Sequence, residues 1–365
     1  MKCKWRKILL GEVVTFKNGK KRPQEEGMIP VYGGNGVMAY TLKSNFTECV
    51  SVGRVGAYCG NVFLSKQPCW ISDNSIAAIP KCDINIEYLY YLLKNLQLNK
   101  MRVGSGQPLL TQKILNSIEI PIPNIEYQCK VACILKVIDD KINVNIAINK
   151  NLEGQAQALY DNLFTNVSFD ATLADLGTVV GGSTPSKKHP EYYTDQGIAW
   201  ITPKDLSNDS SKFIYHGEND ITELGLSNCS ATIMPTGTVL FSSRAPIGYI
   251  AVAANPVATN QGFKSIIPNK DIGTAFIYYF LKNNLTLIES MASGSTFKEI
   301  SASVMKNVPA FVPCQDKLIR FRDYCDPLFA YQQSLENESL RLATLRDMLL
   351  PCLISGKINV MKIEI

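Results

Sequence analysis

The chain repeats itself, and this constrains its fold more than any other feature of its 365 residues. YLYYLLKN at 88–95 is matched by FIYYFLKN at 276–283, so Tyr90 pairs with Tyr278 about half the chain away. Neighbouring features recur in the same order. SVGRVGAY at 51–58 parallels FSSRAPIGY at 241–249, with Arg54 and Arg244 in equivalent places, and SDNSIAAIP at 72–80 parallels TNQGFKSIIP at 259–268. GSGQPLLTQKILNSIEIPIP at 104–123 and SGSTFKEISASVMKNVPAFVP at 293–313 both end in a Pro-bounded, strand-like run. A repeat of this size means one fold built twice. Inside each copy, β-branched and aromatic runs such as TVLFSS and YIAVAA are broken by Gly, Pro and Asn, which predicts a β-rich globular domain with a few helices. The stripes Tyr88 and Tyr91, and Tyr278 and Phe280, have the helical spacing expected of core packing.

Each copy is followed by a different pattern. Ile138, Ile142, Leu152, Ala156, Leu159 and Leu163 alternate at spacings of four and three once Asn145 and Asn149 fill the missing positions. This is a heptad seam, and a polar residue buried in a seam fixes register at a cost in stability. Leucines there are expected to stabilise the pair and relax its register. The second tail places Leu328, Leu335, Leu342 and Leu349 seven apart, with Tyr331, Glu338 and Leu345 between them. A helix of this length spans about 60 Å, and two with complementary seams would pack antiparallel. The predicted fold is therefore α+β: two β-rich globular domains joined by two long antiparallel coiled-coil helices in a pseudo-two-fold internal repeat. The expected boundaries are 1–124, 125–165, 166–314 and 315–358, with a tail at 359–365.

Chemistry is sparse. His189 and His216 are the only histidines and both fall in loop-like stretches. There is no G-x-x-x-x-G-K-[ST] and no strand followed by G-x-G-x-x-G; YGGNG at 32–36 and VGSGQ at 103–107 suit ordinary turns. Cys49, Cys59 and Cys69 recur ten apart with no ligand pairing typical of zinc. The 11 cysteines include no C-x-x-C pair, and they suit reduced, mostly buried thiols in a cytoplasmic protein. No apolar run is long enough to span a bilayer. No catalytic residue and no metal ligand is assigned.

Two similar heads on an antiparallel helix pair form a ruler, as suits contact with two half-sites of duplex DNA. The 37 basic against 32 acidic residues give a net charge of only +5, but charge clusters locally. Lys2, Lys4, Arg6, Lys7, Lys17, Lys20, Lys21 and Arg22 face one acid, Glu12, before residue 25. Lys94, Lys100, Arg102 and Lys113 occur between Tyr88 and Ile118 with none. Such runs suit phosphate neutralisation, although most are simply solvated faces.

The chain resembles the specificity (S) subunit of type I restriction-modification enzymes. GGSTPS at 181–186, WITPKDL at 200–206, PTGTVLFSSRAPIGYIA at 235–251, TNQGFKSI at 259–266 and LRDMLLPCLISGKI at 345–358 carry the resemblance; the first half matches more loosely, through VYGGNG and VGRVGAYCG. The resemblance implies two target recognition domains, each reading half of an interrupted DNA sequence, with the helices setting the gap. It implies a non-catalytic subunit that partners double-stranded DNA, two modification (methyltransferase) subunits and restriction/translocase subunits, and does not bind membranes. It also implies that S-adenosylmethionine, ATP and Mg are bound by those partners and no cofactor by this chain. Consistent with this, the chain has no Asn/Asp-Pro-Pro-aromatic tetrapeptide of a methyltransferase.

Base reading favours Arg with guanine and Gln or Asn with adenine, whereas lysines mainly position the duplex. The candidates are Lys20, Lys21, Arg22, Arg54 and Gln107 in the first copy and Lys187, Lys188, Lys204, Arg244 and Lys298 in the second. Arg54 and Arg244 suit a brace at a strand turn equally well. A two-headed scaffold that binds proteins instead of DNA is the alternative function.

Overall fold

The computed structural model describes residues 5–81, 83–104, 108–165, 167–209, 211–294 and 298–362. These form two compact units. One takes the chain up to Asn143 together with the stretch from Leu340 onward, and the other is Val144–Ser339.

The first copy contains strands β1 (Val14–Asn18), β2 (Ile29–Gly33), β3 (Gly36–Thr41), β4 (Cys49–Gly53), β5 (Val62–Ser65), β6 (Trp70–Ile71) and β7 (Ser75–Pro80), then helix α1 (Ile86–Asn95) and the long helix α2 (Ile125–Phe164). The second contains β8 (Gly177–Gly181), β9 (Trp200–Ile201), β10 (Phe213–Ile214), β11 (Val239–Ser243), β12 (Ile247–Ala253), β13 (Ala258–Thr259) and β14 (Lys264–Pro268), then α3 (Thr274–Asn283) and the long helix α4 (Gln315–Ile354). One sheet has the order β1-β7-β4-β5, and its counterpart has β8-β14-β11-β12 with β10 added at the edge. The parallel pair β2–β6, with Val31 opposite Trp70, recurs as β9–β13, with Trp200 opposite Ala258. The sequence repeat is thus a repeat of strand order.

Central strand β4 (CVSVG) is buried at every residue because both of its faces are covered. Helix α1 starts where the Asn85 carboxamide accepts the Tyr88 amide at 2.9 Å, a standard N-cap. Tyr88, Leu89, Leu92 and Leu93 then turn one apolar face into the core of the first unit. Helix α3 is buried all round from Ala275 to Leu281. The tyrosine stripes are core in both copies: Tyr88, Tyr91, Tyr278 and Phe280 are all buried.

Within each unit the two long helices run side by side in opposite senses. In the first, Tyr127 donates to the Ile358 carbonyl at 2.7 Å and Arg346 to Asp139 at 2.8 Å. In the second, Asn145 meets Glu338 at 2.8 Å and Lys317 reaches the Leu163 carbonyl at 3.1 Å. The stretches 125–165 and 315–358 each divide between the two units, and the second helix ends at Ile354, leaving 355–358 as a turn.

The seam departs from expectation on α4. Tyr331 and Leu345 are 49% and 46% exposed, and their neighbours Gln332 (2% exposed) and Arg346 turn inward instead. An α-helix advances 3.6 residues per turn, so a strict seven-residue count drifts off the facing side. Asn145 is fully buried, and Asn149 exchanges amide bonds with Gln332 at 3.2 and 3.3 Å. The mid-helix seam is thus a polar network. The thiols also divide: Cys49, Cys59, Cys69 and Cys325 are buried as expected, but Cys129, Cys133 and Cys314 are exposed. Among the described residues no helix is long and apolar enough to cross a membrane.

Candidate nucleic-acid interface

In the first copy the basic run follows β1. The Lys20 amide donates to the Ile71 carbonyl at 3.0 Å and its own carbonyl accepts the Trp70 indole at 3.1 Å, so the backbone is pinned beside β6 while Lys20, Lys21 and Arg22 remain exposed. Arg22 lines a shallow cleft with Pro23, Gly27 and Tyr40. Arg54 follows β4 and is half-buried. Its amide donates to Asn74 O, and its carbonyl accepts from the Leu110 amide, both at 2.9 Å. Its backbone is a brace, whatever its guanidinium contacts. Gln107 lies outside the described residues.

In the second copy, the candidates line two of the clefts among the described residues. The first is lined by Lys187, Lys204, Trp200, Glu218, Asn260 and Gln261, among others; Lys188 is exposed next to Lys187. Lys204 pairs with Glu218 at 2.5 Å, and that hydrogen bond raises the ammonium above its ordinary value. Both partners are well exposed, so water and salt screen the pair and a phosphate can replace the carboxylate.

The WITPKDL segment has a structural reason. Asp205 accepts the Thr202 amide at 2.7 Å and its hydroxyl at 2.6 Å, a capping box on the helix Pro203–Asn208, and the Trp200 indole donates to Ser183 O at 3.0 Å. This box was legible in the T-x-x-D spacing. The acid Glu218, from a different loop, was not.

Arg244 and Lys298 line the second cleft. Arg244 lies 3.5 Å from Glu299, and Lys264 reaches the same carboxylate at 3.8 Å. Burial, joined by the neighbouring Arg244, lowers the Lys264 ammonium against the pull of Glu299. Three cations thus meet Glu289 and Glu299 here, a local excess suited to a phosphate. Lys264, Gln261 and Asn260 were not among the sequence candidates, although the TNQGFKSI motif contains all three. Among the described residues no group of three or more His, Cys, Asp and Glu side chains could hold a metal ion.

The family model for the type I restriction modification DNA specificity domain matches this chain twice, at residues 3–154 and 170–318. The chain belongs to that family. Each match contains one globular copy, so the duplicated strand order is a duplicated specificity domain.

The relatives are consistent with this. The chain is 42% identical over 173 residues to the type I restriction enzyme MjaIX specificity subunit of Methanocaldococcus jannaschii, covering 46% of this chain and 40% of that one. It is 25% identical over 332 residues to the HindI specificity subunit of Haemophilus influenzae, covering 69% and 71%. It thus spans less than half of the first relative's length. The crystal structure of the type I restriction-modification S subunit from M. genitalium shares the fold, with a TM-score of 0.62 over 96% of each chain at 18% identity.

Proposed function

We propose that this chain is the sequence-specific DNA-binding subunit of a type I restriction-modification complex and is not itself a catalyst. The observation that carries the reading is the double match to one DNA specificity domain in a single chain. Two such domains, 1–124 and 166–314, would each read half of an interrupted target, with the helical stretches 125–165 and 315–358 as the spacer. Lys20, Lys21, Lys187, Lys188, Lys204 and Lys298 are assigned to phosphates, and Arg22, Arg54, Arg244 and Gln107 to base edges or groove walls.

The partners of this reading are double-stranded DNA, two modification subunits and restriction/translocase subunits in the cytoplasm. S-adenosylmethionine, ATP and Mg belong to those subunits. The helix faces turned away from the seam carry exposed apolar side chains, Val137 at 60% and Met348 at 68% among them. Exposed apolar clusters suit protein docking, and these faces are assigned to the modification subunits.

The test is to express the chain with its modification subunit and map N6-methyladenine across a host genome, with and without it. A two-part interrupted motif that disappears without the chain supports the reading. Unchanged methylation despite a soluble complex overturns it in favour of a protein scaffold.

A further inference from the structure

The hairpin β2–β3 carries an apolar face that no part of the assignment above uses. Register pairs Pro30 with Tyr40 and Ile29 with Thr41, and Met28 and Leu42 flank the end of the ribbon. Val31 and Thr41 are fully buried, whereas Met28 is 91% exposed, Met38 55%, Tyr40 56% and Leu42 65%. β2 therefore packs on the domain through Pro30 and Val31, while β3 and its flank present large apolar side chains beyond a register shift between Val31 and Tyr32. β3 is also the edge of its sheet, in the order β3-β2-β6. An apolar edge of this kind invites aggregation unless something covers it.

Local charge indicates what covers it. The chain leaves β1, passes beside β6 at Lys20, carries Lys21 and Arg22, and crosses to the end of β3 at Gly27. A Cβ at Gly27 would lie 2.4 Å from the Thr41 carbonyl carbon, so only glycine allows this close crossing. Arg22 and Tyr40 line the same cleft. Of the acids beside it, Glu25 pairs with Lys43 at 3.0 Å, while Glu26 is exposed. An apolar protein partner would not need the three consecutive cations; a polyanion would.

We propose that the β2–β3 ribbon is the base-reading element of the first specificity domain, lying in the DNA major groove with Met38, Tyr40 and Leu42 against thymine methyl groups, Arg22 at the groove wall and Lys20 and Lys21 on the flanking phosphates. The inference rests on the reading of the chain as a DNA specificity subunit. The major groove admits a two-stranded ribbon, and thymine's methyl group is the one apolar feature displayed there. The first domain would then read A·T pairs mainly by shape and apolar contact, with fewer of the arginine and carboxamide bonds that sequence reasoning favours.

The test uses the complete complex and a duplex carrying its mapped methylation motif, with thymines replaced by deoxyuridine in one half-site at a time. Wild type should lose about fourfold in affinity per contacted methyl in one half-site only. The variant Met38→Ser/Tyr40→Ser/Leu42→Ser, whose side chains are exposed, should bind thymine and uracil duplexes alike while still assembling with the modification subunit. The inference is overturned if wild type ignores the methyl groups in both half-sites, if the variant keeps the discrimination, or if the variant loses the modification subunit, which would make the ribbon a protein contact. A complex that marks no motif at all instead removes the underlying reading.

Discussion

Tyr91 donates its phenol hydrogen to Asp139 at 2.7 Å, joining α1 to the long helix α2. Its repeat counterpart, Tyr279 on α3, donates to Glu153 at 2.9 Å. The bond is kept, but its surroundings are exchanged. Asp139 is answered by Arg346 from the other long helix, whereas Glu153 is answered by Lys212 and Lys282 from the globular copy itself. Burial, then the adjacent carboxylate, pushes each phenol well above its ordinary value, so each remains a donor.

Replacing Tyr91 or Tyr279 with Phe removes a hydrogen bond to a charged acceptor, and each variant should lose about 2 kcal/mol of unfolding free energy. Urea denaturation measures this. Losses below about 0.5 kcal/mol in both would mean that the bonds do not hold the helices to the domains.

Glu153 gives the clearest pH dependence. Burial alone would raise its carboxyl, but Lys212 and Lys282 outweigh burial and hold it below the usual value. Its stabilisation is therefore complete above the ordinary carboxylate value of about 4.3 and lost as pH falls through the depressed folded value. Glu153→Gln should cost about 3 kcal/mol at neutral pH, because it leaves the buried Lys212 short of a counter-charge. The gap to wild type should shrink on acidification; a gap that widens toward pH 3 contradicts the assignment.

At the DNA face, Lys204→Ala should reduce the slope of log affinity against log salt by about one, with little change in sequence preference. Glu218→Gln, which frees the same ammonium, should steepen it. An unchanged slope in Lys204→Ala removes that residue from the interface.

Leucine at Asn145 was expected from the heptad pattern to stabilise the seam, but the structure predicts the opposite sign. Asn145 donates to Glu338 at 2.8 Å and to Ser339 at 3.2 Å, so Asn145→Leu strips a donor from a partly buried carboxylate. The expected loss is about 1–3 kcal/mol, to be read by thermal or urea unfolding. A more stable variant would restore the simpler view of a polar register device carried at a net cost.

Gly356 in the SGKI turn has φ +75°, and a Cβ there would lie 2.5 Å from the Trp5 ring. Gly356→Ala should therefore cost more than about 1 kcal/mol, with a change in Trp fluorescence as the ring is displaced. A neutral substitution would show that the turn relaxes freely.

Much of this protein was legible in one sequence because its strongest signals are local. Strand order recurs because the two copies share apolar patterning and turn residues; α2 follows from a run free of proline, and α4 from leucines spaced seven apart that carry the helix through Pro327 and Pro351. Capping at Thr202 and Asp205 is visible in a four-residue spacing, and the tyrosine stripes are core because helical spacing sets one face inward.

What the sequence could not show depends on which side chains meet across long separations. Helical drift placed Gln332 and Arg346 inward where Tyr331 and Leu345 were counted. Glu218 and Glu299 reached Lys204 and Arg244 only once separate loops had packed together. The apolar face of the β2–β3 ribbon became distinct from core only when Val31 and Thr41 were buried and Tyr40 and Leu42 were not. The sequence by itself determined a duplicated β-rich domain on two long helices, because period and turn chemistry act over a few residues. Tertiary structure alone decided charge pairing, seam register and the exposed face, because each depends on the distance and burial of groups far apart in the chain.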